Sequence, residues 1–183
     1  DIRIAISLDV KEPGSSIYIV GKTYCELGGS EYYRLLGFIG KTVPKVRVSQ
    51  ARKTFKAMIR AIDHGLVSAC HDLSEGGLAV AAAEMAFSGG YGVEIDLRKV
   101  LADNLKRDDF VLFSESNSRF LVEIPEKCER DFEAVMRGAV CAKIGKVTKT
   151  PRLCVYGLNG DVVVDAAISE LLACWKSLLS EGV

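Results

Sequence analysis

The sequence predicts an α+β fold, a mixed sheet covered by helices. Short apolar runs of period two interleave with helical stripes along all 183 residues. Leu158-Asn159-Gly160-Asp161 separates two of those runs, and Asn-Gly is the strongest short signal for an antiparallel hairpin. A hairpin within strand–helix alternation argues against a purely parallel sheet. A chain of this length reads as one domain and buries about 70% of its extended surface, enough for a full core.

In chain order, Ile2, Ile4, Ile6 and Leu8 alternate as a first strand, Lys11-Glu12-Pro13-Gly14 turns the chain, and Ile17 to Val20 form a second. The chain opens without a methionine and almost directly in that first run, as a piece of a longer protein or a numbering convention would. Ser30 is placed to N-cap a short helix through Leu36, with Glu31 favouring its dipole and Gly37 and Gly40 ending it. From Ser49 a longer helix carries Phe55, Met58, Ile59 and Ile62 on its apolar stripe, with Arg52, Lys53, Lys56 and Arg60 opposite as a solvated face. Gly65 stops it, and His64 favours the C-terminal dipole there. Leu66 to Cys70 reads as a strand, Leu78 to Phe87 as an Ala-rich helix stopped by Gly89-Gly90, and Val93, Ile95 and Leu97 as a further strand. A polar insert, Asp103 to Asp109, precedes Phe110 to Phe113. Arg119 to Ile124 reads as a strand, and Pro125 opens a helix to about Arg137 with Gly138 as its stop. Val140 to Val147, Leu153 to Tyr156 and Val162 to Asp165 are strands. Ile168, Leu171, Leu172, Trp175, Leu178 and Leu179 give the last helix a wide apolar face. The expected core includes Phe55, Ile59, Leu78, Ile95, Val122, Val155, Leu171 and Trp175.

Composition narrows the function. With 24 basic and 24 acidic residues the formal net charge is zero, so the footprint of a nucleic-acid or acidic-membrane binder is missing. No apolar run approaches the roughly 20 residues that cross a bilayer, and nothing at the start resembles a signal peptide, which points to the cytoplasm. The six cysteines lack a C-x-x-C pair and a His at metal-ligand spacing, so they read as reduced thiols in the role of small core hydrophobes. His71 is the only histidine near suspected chemistry, and one His makes no catalytic constellation.

Three segments carry candidate chemistry. In Ser68 to Leu78 an apolar strand ends in Asp72, Ser74, Glu75, Gly76 and Gly77 before the Ala-rich helix. Bare glycine amides at a helix start can seat an anion, or can simply let the chain turn tightly. Gly28-Gly29-Ser30 offers the same pair of readings, a phosphate cradle or an ordinary N-cap. If both face one cleft, they would bind phosphate with Asp72 and Glu75 at its rim. In Ser114-Glu115-Ser116 the serines can donate to phosphate and Glu115 can accept from sugar or base, or the hydroxyls can cap their own loop. Gly21-Lys22-Thr23 is not a Walker A end, because the glycine required at position 16 is a serine.

Taken together, Val20-Gly21-Lys22-Thr23 through Leu27-Gly28-Gly29-Ser30-Glu31-Tyr32, Cys70-His71-Asp72-Leu73-Ser74-Glu75-Gly76-Gly77-Leu78, and Phe113-Ser114-Glu115-Ser116-Asn117-Ser118-Arg119-Phe120 resemble one family in order and spacing. It is the synthetase subunit of the phosphoribosylformylglycinamidine synthases, within the aminoimidazole ribonucleotide synthetase superfamily. Glu84-Met85-Ala86 with Gly89-Gly90, and Ile168-Ser169-Glu170-Leu171, extend the likeness over nearly the whole chain. The resemblance implies the α+β C-terminal domain of the second of two similar halves, over residues 11–183, with residues 1–10 ending a preceding barrel-forming domain. For the full-length enzyme it implies ATP- and magnesium-dependent conversion of formylglycinamide ribonucleotide to the amidine, with ammonia from a glutaminase subunit and a small accessory subunit as further partner. No catalytic residue and no metal ligand is carried over to this chain, and Asn117 departs from the glutamine typical of the first half. The alternatives are a scaffold with a degenerate nucleotide pseudo-site, or a relative such as a thiamine-phosphate kinase or selenophosphate synthetase.

Overall fold

The computed structural model describes residues 4–180, with side chains through residue 177. The elements run β1 (Ser16–Val20), α1 (Glu31–Leu35), α2 (Val48–Asp63), β2 (Ala69–Asp72), α3 (Gly77–Gly89), β3 (Gly92–Asp96), α4 (Asp108–Phe113), β4 (Phe120–Ile124), α5 (Glu129–Val135), β5 (Cys141–Thr148), β6 (Arg152–Tyr156), β7 (Val162–Ala167) and α6 (Ile168–Ser180). The strands form one sheet in the order β2-β4-β1-β5-β3-β6-β7. β3 and β6 pair in parallel and the other neighbouring pairs are antiparallel, so the sheet is mixed, as expected. The Asn159-Gly160 hairpin forms between β6 and β7, with Gly160 at φ +90° and the Gly157 N–H donating to Asp161 O at 2.8 Å.

Period-two alternation sorts the strands between two cores. Ile17 and Ile19 of β1 and Leu121 of β4 face a core shared with α3, α4 and α6, built around Leu78, Met85, Ile95, Val111 and Val155. Tyr18, Val20, Val122 and Ile124 face a second core with Ala57, Met58 and Ala61 of α2 and Phe132 of α5. Helices on both faces leave β1 buried at all five positions. The second layer ends beyond these strands, where Glu94 and Asp96 of β3 lie on the sheet face opposite the first core.

Several expectations need correction. Residues 5–10 form no strand; Ser7 O accepts one bond from Cys70 N at 3.1 Å, and Val10 is already buried in the first core. Ile2 lies outside the described residues, as do the side chains of Leu178 and Leu179. The strand expected over Leu66 to Cys70 lies three residues later at its start, and Asp108 and Asp109 of the expected polar insert belong to α4 together with Phe110 to Phe113. The face of α2 is rotated: Ala51, Thr54, Ala57, Met58 and Ala61 are buried, while Phe55 and Ile59 are 44% and 58% exposed. Small side chains at i, i+3 and i+7 bring the helix close to the sheet, which a stripe of large residues would hold off. Leu78, Ile95, Val122 and Val155 are buried as expected and Leu171 is half-buried, but Trp175 lies against Phe87 and stays 46% exposed. The six cysteines are free thiols; Cys25 and Cys174 are exposed and the other four half-buried, so none is a fully buried core residue. Among the described residues no helix is long and apolar enough to cross a membrane.

Two outcomes follow from this packing. Phe132, fully buried edge-on to Tyr18, costs about 3–5 kcal/mol when truncated to Ala, and Trp175→Ala less than about half of that, measured by urea unfolding. Burial pushes the Cys70 and Cys141 thiols up to about 12, so at pH 8 iodoacetamide labels Cys25 and Cys174 first and these two last, as read by peptide mass spectrometry.

Candidate functional site

Three loops meet at one end of β1, β2 and β4, and a single carboxylate joins them. Ser30 N-caps α1, its Oγ accepting from Tyr33 N at 3.2 Å. Gly76, at φ +73°, caps α3 with no side-chain bond of its own. Between the two lies Glu115, whose Oε1 accepts from Glu31 N at 3.0 Å and from Gly76 N at 2.9 Å. The negative charge drawn by these two helix starts is therefore a side chain of the protein itself.

The remaining amides of the glycine segments are also used internally. Gly28 N donates to Thr42 O at 2.8 Å, Gly29 N to Ile39 O at 2.7 Å, Ser30 N to Leu27 O at 3.0 Å and Gly77 N to Ser74 O at 3.1 Å. Close approach explains two of the glycines: a Cβ on Gly77 would lie 2.4 Å from Ser114 O, and one on Gly28 2.8 Å from the Thr42 backbone. The two serines have the capping role rather than the phosphate role. Both are fully buried; Ser114 Oγ donates to Tyr24 O and accepts from Glu26 N, and Ser116 Oγ accepts from Tyr24 N at 3.0 Å. Ser114 and Ser116 thus clamp residues 24–26.

Beneath this clamp is a charge that sequence reasoning missed. Arg119 is 1% exposed and donates to Ser116 O, Thr23 Oγ1 and Ser114 O. Burial pushes its guanidinium down to about 10, against the pull of nearby Glu26 and Glu115, so it remains charged at neutral pH. Glu26, 2% exposed, pairs with Arg47 at 2.9 Å, and its Oε2 has no partner among the described residues. No local pattern marks either residue as buried, because each is enclosed by loops distant in sequence.

Asp72, Ser74, Glu75 and Glu115 come together on one cavity of about 790 Å³. Its apolar wall includes Pro44, Phe55 and Phe120, the two rings meeting edge-on at 5.8 Å. Gly28, Gly29, Ser30, Gly76, Gly77, Ser114 and Ser116 do not line it. Ser74 Oγ donates to Asp72 Oδ2 at 2.6 Å and holds that carboxyl below the usual carboxylate range, with His71 adding to the effect. His71 is half-buried between Asp72 and Glu84, its Nε2 2.6 Å from Glu84 Oε2. Among the described residues no three His, Cys, Asp or Glu side chains gather in a metal-holding group. The cavity offers acceptors to hydroxyl or N–H donors and an apolar wall to a flat ring; its three carboxylates outnumber buried Arg119, the one cation among its described lining residues, and repel a bare phosphate.

Removing the central carboxylate tests this arrangement. Glu115→Ala costs about 2–3 kcal/mol, while Glu115→Gln, which keeps an acceptor oxygen, costs less. Hydrogen exchange read residue by residue shows Glu31 and Gly76 amides speeding up in Glu115→Ala; unchanged protection there would show that the two bonds are not maintained in solution.

Residues 12–157 match the family described as AIR synthase related protein, C-terminal domain. The chain is 43% identical over 184 residues to the phosphoribosylformylglycinamidine synthase subunit PurL of Methanothrix thermoacetophila, covering 100% of this chain and 23% of that protein. It spans about a quarter of the length of the curated relatives it matches. Among solved structures, Thermotoga maritima PurL complexed with FGAR superposes at a TM-score of 0.80 and 20% identity, over 92% of this chain and 29% of that one. The same protein complexed with ATP gives 0.74 at 20% identity, over 92% and 27%. At such identity these structures establish the fold, a mixed sheet with helices in the AIR synthase-like arrangement. With the family match extending from before β1 to the end of β6, the chain belongs to the C-terminal domains of the AIR synthase related proteins.

Proposed function

We propose that this chain is the C-terminal domain of the second half of a phosphoribosylformylglycinamidine synthase, and that it forms one wall of a ribonucleotide site. The full enzyme is an ATP-dependent carbon–nitrogen ligase of purine synthesis, in the cytoplasm, converting formylglycinamide ribonucleotide and glutamine-derived ammonia to the amidine. The relatives named PurL and the solved complexes with FGAR and ATP support the activity. Residues 1–10 are read as the approach from a barrel-forming domain, with the glutaminase and small accessory subunits as partners of the whole protein. The observation that carries the role of this domain is the cavity whose rim is Asp72, Ser74, Glu75 and Glu115 and whose wall is Phe55 and Phe120. Asp72 and Glu75 suit ribose hydroxyls or amide N–H groups, and the apolar wall suits a ring or ribose face.

The glycine segments do not fit a triphosphate. Their amides are paired within the fold and Glu115 stands where a phosphate oxygen would bond. ATP and magnesium, required by the full enzyme, are therefore not assigned to Gly28, Gly29, Ser30, Gly76 or Gly77. The relatives named for the synthase subunit do not favour the other reading, a scaffold with a degenerate nucleotide pseudo-site, or another member of the superfamily.

The purified chain alone is expected to show no ATP-dependent turnover of formylglycinamide ribonucleotide with ammonia and magnesium, measured by phosphate release. In the complete enzyme Asp72→Asn lowers kcat/KM for the ribonucleotide about tenfold or more, the effect of losing one hydrogen bond to a charged group, with the unfolding midpoint lowered only slightly because Asp72 is exposed. An effect within about twofold would favour the scaffold.

A further inference from the structure

A second, smaller cavity of about 180 Å³ adjoins the first, with Asn117 and Ser118 lining both. Its chemistry is the reverse. Lys22, Lys45, Arg47 and Lys53 line it and no carboxylate does. Arg47 is held rigidly: its guanidinium lies 3.4 Å from the centre of the Tyr24 ring, and buried Glu26 pairs with it from behind at 2.9 Å. Tyr24 is fixed in turn by its hydroxyl, which donates to Gln50 Oε1 at 2.9 Å. Lys22 Nζ lies 5.4 Å from the centre of the same ring and pairs with Asp103 at 2.9 Å. Lys45 and Lys53 make no ion pair among the described residues, so two positive charges are left without a counterion. The cavity also opens at the start of the 16-residue helix α2, whose first turn has no acidic residue and no side-chain cap. That helix end adds to the four cations rather than standing alone.

We propose that this cavity binds a phosphoryl group, as free phosphate or as the end of a small phosphate monoester. A doubly charged oxyanion with several acceptor oxygens matches two uncompensated ammonium groups and a preoriented guanidinium, beside a helix end that carries no acid of its own. The volume, below the about 300 Å³ at which pockets for larger organic ligands begin, suits a single phosphoryl group better than a triphosphate. Replacement of the Lys45 and Lys53 charges removes attraction without unpairing any buried group, because both side chains are exposed. The charged residues of the seat are not those of the large cavity; only the sugar-phosphate form of the ligand rests on the ribonucleotide reading above, and binding of free phosphate does not depend on it.

The test is titration of the full chain with inorganic phosphate at pH 7.5, followed by amide NMR, against sodium chloride at matched ionic strength. Saturable shifts at Gly21, Val48, Ser49, Gln50 and Gly138 are expected with phosphate and not with chloride. Affinity falls about tenfold in the Lys45→Ala/Lys53→Ala double variant and is unchanged in Lys149→Ala. Ribose 5-phosphate separates the two sources of the group: tighter binding than phosphate, with shifts reaching Ser74 and Glu75, identifies a sugar phosphate spanning both cavities. Equal affinity with shifts confined to the small cavity identifies phosphate itself. Shifts that chloride reproduces, or phosphate shifts confined to residues 28–30 and 74–77, would overturn the proposal.

Discussion

The loop end of this domain depends on one half-buried carboxylate. Glu115 accepts an amide from the start of α1 and another from the start of α3, and its own amide donates to Glu26 O at 3.1 Å. These three bonds fix the 24–31 loop, the 72–77 loop and the 114–118 loop relative to each other. Arg119 lies below them, supplying buried positive charge and bonding to the carbonyl oxygens of Ser114 and Ser116. A guanidinium so enclosed is tolerated only because its donors are used and carboxylates stand near it. The glycines then have a plain reason: Gly28 and Gly77 are where neighbouring backbone comes too close for a side chain.

Much of the fold was legible from local signals. The Ser30 cap, the Gly65, Gly90 and Gly138 stops and the Asn159-Gly160 turn are short-range devices, fixed by residues within one turn of each other, and each occurs where sequence reasoning put it. What failed was orientation. The apolar stripe of α2 was read through Phe55 and Ile59, yet the helix packs through Ala51, Ala57 and Ala61, because close approach of helix to sheet rewards small side chains. Hydrophobicity ranks residues by transfer energy, not by how near a helix must come. Trp175 failed for a related reason: a large ring on an amphipathic face covers Phe87 and keeps its outer half in solvent.

The candidate site was legible in its parts and misread in its assembly. Sequence reasoning brought out Asp72, Ser74, Glu75 and Glu115, which line one cavity, but it also placed phosphate on amides that the fold uses internally. Whether a glycine amide is bare depends on what chain lies opposite, and Thr42 and Ile39 provide the acceptors for Gly28 and Gly29 from a loop with no recognisable motif. Ser114 and Ser116 illustrate the same limit. A hydroxyl on a polar loop looks available until the 24–26 backbone is folded over it.

Zero net charge conceals how the charge is arranged. Asp72, Glu75 and Glu115 border the large cavity with buried Arg119 behind them, whereas Lys22, Lys45, Arg47 and Lys53 border the small one, with Asn117 and Ser118 lining both. Fields of opposite sign a few residues apart are costly to maintain unless buried groups hold them apart, since flexible Lys and carboxylate side chains would otherwise pair across the gap. Here Glu26 holds Arg47 on one side, and Ser74 and His71 hold Asp72 on the other. Summed composition averages this away, so the absence of a nucleic-acid footprint in the whole chain is compatible with strong anion attraction over one small patch. The separation is a property of the 114–118 loop, because the residues that divide the cavities come two and three positions after the carboxylate that joins the two helix starts.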